Sequence, residues 1–132
     1  MILIDTSAWI EFLRRKGNPA VKQRVAEVMS ADAAAFTCPV LFELMAGARD
    51  EAEAALVRQA TGFCRRVQFE PRDWEQASEI ERTLRGQGAM VPRDDIFVAS
   101  VAVRVKMPVL CCDSHFDVIR EKAARTLRVE TV

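Results

Sequence analysis

Met1 to Ile4 is an apolar run too short for a helix, and it stops abruptly at Asp5. Pro108 to Cys112 is a second such run, and it stops at Asp113. Between and after them, apolar residues recur at helical spacing, as in Val21, Val25, Val28 and Met29, or Trp74, Ala77, Ile80 and Leu84. Short strand-like runs alternating with helical segments from end to end imply an α/β fold, with a mostly parallel central sheet and helices on both faces. No linker, repeat or low-complexity stretch divides residues 1–132, which read as one domain.

Local signals place the elements. Thr6 and Ser7 are expected to cap a helix through Trp9, Ile10, Phe12 and Leu13. Asn18-Pro19 opens a second helix. Ala33 to Thr37 is a strand candidate, Val40 to Arg49 a helix after Pro39, and Asp50 to Arg66 another helix. Val67 to Phe69 reads as a strand and Pro71 to Arg85 as an amphipathic helix ended by Gly86 and Gly88. Asp94 or Asp95 is expected to cap an apolar helix, Ile96 to Val105. Asp113 or Ser114 starts a short helix, and Thr126 to Val132 alternates like a closing edge strand.

Composition narrows the function. Lys+Arg and Asp+Glu both number 19, giving zero formal charge. A protein that coats nucleic acid non-specifically is plainly basic, so nucleic-acid contact here must use local patches. A near-neutral chain also repels its own copies poorly, which suits self-association or a dedicated partner. The four cysteines, Cys38, Cys64, Cys111 and Cys112, form no C-x-x-C pair. They read as reduced core residues, consistent with the cytoplasm. The opening residues have neither the basic start of a signal peptide nor the length of a membrane span.

Ligands of open α/β sheets bind beyond the carboxyl ends of the strands. Asp5 and Asp113 each follow an apolar run directly, so each is either the cap of the next helix or a member of a shared site. Glu43 lies in Pro39-Val-Leu-Phe-Glu-Leu-Met-Ala, a segment apolar on nearly every side. A carboxylate buried there needs an arginine partner or a cation. Asp94-Asp95 precedes another apolar helix, and spacing does not choose between the two. Asp117, one turn after Asp113, is either a solvated residue or a neighbour on the same helical face. Converging acids without basic partners repel one another, and divalent cations relieve the repulsion. Oxygen ligands suit Mg²⁺ or Mn²⁺, which activate water and stabilise the oxygen leaving a phosphodiester.

Other chemistries fit less well. Asp113-Ser114-His115 has the letters of a hydrolytic triad, but consecutive residues cannot converge in that geometry. His115, the single histidine, reads as a surface or helix-start residue whose loss leaves most activity. No Walker loop or glycine-rich dinucleotide turn is present. Arg14, Arg15 and Lys16, with Arg120, Lys122, Arg125 and Arg128, read as solvated helix faces that can also guide a nucleic-acid backbone.

Four segments in order resemble the PIN-domain family, and more closely its VapC-type toxins: Ile2-Leu-Ile-Asp5-Thr-Ser-Ala-Trp-Ile, Val40-Leu-Phe-Glu43-Leu-Met-Ala-Gly47, Pro92-Arg-Asp-Asp95-Ile-Phe-Val-Ala-Ser and Val109-Leu-Cys-Cys-Asp113-Ser-His-Phe-Asp117. The resemblance implies a three-layer α/β/α fold and an endoribonuclease that uses Mg²⁺ or Mn²⁺. It carries the acidic site over to Asp5, Glu43, Asp95 and Asp113, with a supporting hydroxyl from Thr6 or Ser7 and an additional acid at Asp117. It favours Asp95 over Asp94, because the family acid directly precedes the apolar helical run. It further implies a homodimer, a VapB-like antitoxin that occludes the site with a basic side chain, and promoter DNA bound through that antitoxin. The remaining alternatives are a non-toxin nuclease of RNA processing or DNA repair, and a mainly regulatory DNA-bound complex that cleaves little.

Overall fold

A computed structural model describes residues 1–132. The elements in chain order are β1 (Ile2–Ile4), α1 (Thr6–Leu13), α2 (Pro19–Ser30), β2 (Ala34–Thr37), α3 (Cys38–Ala46), α4 (Glu51–Thr61), β3 (Arg65–Val67), α5 (Pro71–Gly86), α6 (Arg93–Val105), β4 (Val109–Cys111), α7 (His115–Lys122) and β5 (Val129–Thr131). The five strands form one sheet in the order β3-β2-β1-β4-β5, and every pairing is parallel. Such strands need helical crossovers, and the right-handed rule fixes their side. The chain runs outward from β1 to β3, then returns across the sheet to β4 and β5. This reversal puts α1–α4 on one face and α5–α7 on the other, the expected α/β/α sandwich.

A cluster of 28 buried apolar residues joins the layers, and Trp9, Phe116, Leu3, Ile4 and Leu110 are among its fully buried side chains. β1 is the central strand. Leu3 pairs with Ala35 on one side and with Val109 on the other. The reversal of strand order therefore falls between β1 and β4, and the residues directly after these strands share one crevice at the carboxyl edge.

Several local expectations are corrected. α1 is capped by Asp5, whose carboxylate accepts from the Ser7 N–H, so Thr6 and Ser7 lie inside the first turn. α6 is preceded by Pro92, which places Asp94 and Asp95 in its first turn rather than at the cap. α3 ends at Ala46 instead of Arg49, and it is not buried all round: Val40 and Leu44 face inward while Phe42 is 70% exposed. α4 stops at Thr61, and β3 comes two residues earlier than expected, at Arg65–Val67. An edge strand tolerates the exposed Arg65 and Arg66, and the Arg66 guanidinium lies 5.8 Å from the Phe36 ring centroid. Phe69 instead joins Trp74 and Phe97 in an edge-to-face cluster. α5 runs through Gly86, and Gly88 beyond it takes a positive φ of 68° while the Ala89 N–H returns to the Leu84 carbonyl.

On the α5–α7 face, Asp73 is almost fully buried, and Arg104 of α6 grips both its oxygens at 2.8 and 2.9 Å. The Arg104 guanidinium also donates to the Gln68 carbonyl at 2.6 Å. Asp73 returns a contact to its own helix start by accepting from the Glu70 N–H at 2.8 Å. The pair ties α5 to α6, and no pattern in the sequence singled it out.

Candidate active site

Asp5 stands at the end of the central strand and is 2% exposed. Its Oδ2 accepts from the Ser7 hydroxyl at 2.6 Å and from the Ser7 N–H at 3.0 Å. The Ser7 Oγ in turn accepts from the Cys112 N–H at 3.1 Å, so one serine fixes the start of α1 to the end of β4. The other oxygen of Asp5, Oδ1, is buried without any hydrogen-bond partner. Burial pushes the Asp5 carboxyl above the ordinary carboxylate range against the opposing pull of Ser7, and the charge of Asp113 raises it further.

Asp95 projects from the first turn of α6 and Asp113 follows β4. Between them stands His115, the first residue of α7. Its Nδ1 lies 2.7 Å from Asp95 Oδ2 and 3.4 Å from Asp113 Oδ1. Asp113 Oδ1 also accepts from the His115 N–H at 3.0 Å, a short-range contact that turns both side chains toward one point. One ligand atom from each of Asp95, Asp113 and His115 lies within 4.8 Å of the other two. Burial first, then the charges of Asp5 and Asp113, raises the Asp95 carboxyl to about 7, with His115 opposing the shift. Asp5 and Asp113 thus act on Asp95 through their fields as well as through the shape of the crevice.

Glu43 reaches this rim from α3. Its Oε1 accepts from Thr6 Oγ1 at 2.9 Å, and its carboxyl is pushed up by burial and by the charges of Asp94 and Asp5. No ion pair engages Glu43, so the buried arginine bridge does not form. Neither lysine nor arginine pairs with Asp5, Asp95 or Asp113 either; His115 is the sole basic group in contact with the cluster.

Of the residues expected at the site, Asp5, Asp95 and Asp113 come together, Glu43 stands beside them, and Thr6 and Ser7 each hold one acid. Asp117 is engaged by its own neighbours: it pairs with Arg120 at 2.8 Å and accepts from Thr131. Asp113 precedes α7 rather than belonging to it, so the shared helical face expected of Asp113 and Asp117 does not exist. His115 is the residue the sequence reading misplaced. It does start a helix, but its ring faces the acids. The available signal was its two-residue spacing from Asp113 at that helix start. All four cysteines are free, with Cys111 buried and the other three only half-buried.

The arrangement defines a class before it defines a relative: a parallel α/β/α domain carrying carboxylates at the switch point of its sheet. The chain belongs to the PIN-domain family, whose sequence model matches residues 2–122. Its relatives within that family include Ribonuclease VapC11 of Mycobacterium tuberculosis and VapC ribonuclease Mb1587 of Mycobacterium bovis. Each is 34% identical over 123 residues, spanning 90% of this chain and 91% of the relative. Among solved structures, VapBC2 from Rickettsia felis bound to a promoter DNA fragment superposes with a TM-score of 0.82 at 15% identity, covering 100% of this chain and 99% of that one. DNA-bound VapBC from Salmonella typhimurium gives 0.80 at 19% identity, covering 99% and 98%. At these identities the two structures establish the fold alone.

Proposed function

We propose that this chain is a divalent-metal-dependent endoribonuclease and the toxin of a VapBC-type toxin–antitoxin pair, with residues 1–132 acting as one PIN domain in the cytoplasm. The observation that carries the reading is the convergence of Asp95 and Asp113 beside the buried Asp5, whose charge couples to theirs, with no lysine or arginine to balance them. The names of its VapC relatives supply the substrate class, RNA.

The residues fit a hard cation. Asp5 Oδ1 is buried and bare, and a buried carboxylate oxygen without a donor is costly unless a cation meets it. Asp5, Asp95 and Asp113 would hold Mg²⁺ or Mn²⁺, with Glu43 at the edge of the set. When bound, the ion supplies positive charge that polarises the phosphodiester and lowers the pKa of water. Ser7 keeps Asp5 in one rotamer, and Thr6 does the same for Glu43. Glu43, raised above the usual carboxylate range, is suited to take a proton from the attacking water. Attack by water leaves a 5′-phosphate and a 3′-hydroxyl. The rival route, through the substrate's own 2′-hydroxyl and often with histidine as acid or base, would leave a 2′,3′-cyclic phosphate or 3′-phosphate and a 5′-hydroxyl, so the end groups distinguish the two.

The partner follows from the same charge. A VapB-like antitoxin would cover the crevice and present a basic side chain, with an arginine binding the carboxylates bidentately in place of the cation. The toxin would act as a homodimer, and promoter DNA would be bound only through the antitoxin. Cleavage of RNA by the purified chain, abolished by EDTA and restored by Mg²⁺ or Mn²⁺, with 5′-phosphate ends, is the expected result. Products with 5′-hydroxyl ends formed in EDTA would overturn the mechanism.

A further inference from the structure

We propose that His115 is a direct nitrogen ligand of the cation held by Asp95 and Asp113, making the centre a mixed oxygen–nitrogen site. This rests on the metal-dependent reading above and goes beyond an all-carboxylate site.

The geometry of one nitrogen carries the argument. His115 Nδ1 faces Asp95 Oδ2 at 2.7 Å and Asp113 Oδ1 at 3.4 Å. A ring nitrogen offers a single proton or a single lone pair. It can bridge to one carboxylate only, so a single ring proton does not account for two acid oxygens standing this close to the nitrogen. A cation placed at that corner meets the nitrogen and both oxygens together. Asp113 is held beside the ring by accepting from the His115 backbone N–H. A second, independent feature is Asp5: 2% exposed, with Oδ1 unpartnered, beside acids whose charges it feels. The His115 and Asp113 side chains are 39% and 32% exposed, so the corner opens to solvent and to incoming substrate.

An imidazole ligand changes which ion the centre prefers. Mg²⁺ keeps to oxygen and water, whereas imidazole nitrogen favours the later first-row ions. An ion taking this corner would replace the hydrogen bond between His115 and Asp95.

This chain allows a clean test because it contains one histidine. Tag-free protein is loaded with Mn²⁺, with natural-abundance or ¹⁵N-imidazole histidine, and its electron spin-echo envelope modulation is recorded. A nitrogen modulation that changes with the isotope and disappears in His115→Ala is expected. In parallel, calorimetry with Co²⁺ and Mg²⁺ should show His115→Ala losing at least about tenfold in Co²⁺ affinity. Its Mg²⁺ affinity should fall less than about threefold. His115→Asn, assayed with circular dichroism, guards against a folding defect. Bound Mn²⁺ without imidazole modulation, or equal losses for Co²⁺ and Mg²⁺, would overturn the nitrogen ligand and leave the carboxylate site standing. Failure of the parent to bind Mn²⁺, Co²⁺ or Mg²⁺ at millimolar concentration would overturn both.

Discussion

Thr6 Oγ1 donates to Glu43 Oε1 at 2.9 Å, joining the first turn of α1 to the outer half of α3 across 37 positions of sequence. This is the one side-chain hydrogen bond that Glu43 makes, and it opposes the upward push of burial on that carboxyl. Thr6→Val keeps the shape and removes the donor. RNA cleavage should fall about tenfold, the size of one hydrogen bond to a charged group. Thr6→Ser should retain most of it. Equal activity of Thr6→Val and the parent in single-turnover assays would show that Glu43 needs no such support.

Asp5→Asn and Asp95→Asn should each remove nearly all cleavage while the protein stays folded, because each deletes a formal charge with little change of shape. Normal turnover by either variant at limiting Mg²⁺ would count heavily against the acidic site.

Asp95 also gives a pH dependence of known sign. Burial and the neighbouring acids push its carboxyl up to about 7, well above the ordinary carboxylate range. The fold therefore binds the Asp95 proton more tightly than the unfolded chain does. That contribution is fully present below the unfolded value and is lost as pH rises through about 7. Asp95→Asn removes the penalty, so in EDTA its melting temperature should exceed the parent's most clearly near pH 8, with the gap closing toward pH 5. Glu43→Gln should likewise be inactive and at least as stable as the parent without metal, since its carboxyl is also shifted upward. A lead that widens on acidification would reverse the assigned sign.

The Asp73–Arg104 pair makes a prediction away from the chemistry. Arg104→Met leaves a nearly inaccessible carboxylate without its partner and should destabilise the fold by about 3–5 kcal/mol. Adding Asp73→Asn should recover part of that loss. Urea unfolding of the single and double variants measures the difference, and additive losses would mean that the two residues do not act as a pair.

The sequence and the structure agree most where a residue's place depends on its immediate neighbours. Asp5 and Asp113 were legible because an apolar run ends on each, and parallel strands align their carboxyl ends. Glu43 was recognised through an argument only partly right: α3 exposes Phe42 and buries one stripe, and the acid is half-buried at its edge. Asp117 had the right helical spacing from Asp113, but the spacing has no meaning when Asp113 stands outside the helix. His115 and Arg104 escaped for the opposite reason. Their partners lie 20 and 31 positions away, and only the packing of α5, α6 and α7 brings them into contact. Periodicity reports the face of a helix, but it cannot say which other helix that face will meet.

The strand order has a consequence in time. β1 is made first, yet it is flanked on one side by β4, more than a hundred residues later in synthesis. Asp5 therefore waits for Cys112, Asp113 and His115 to leave the ribosome before its crevice has a second wall. Contacts so distant in sequence form late, after the intervening helices have been placed. The acidic crevice therefore comes into being last, once both of its walls, drawn from segments more than a hundred residues apart, have been made and packed together.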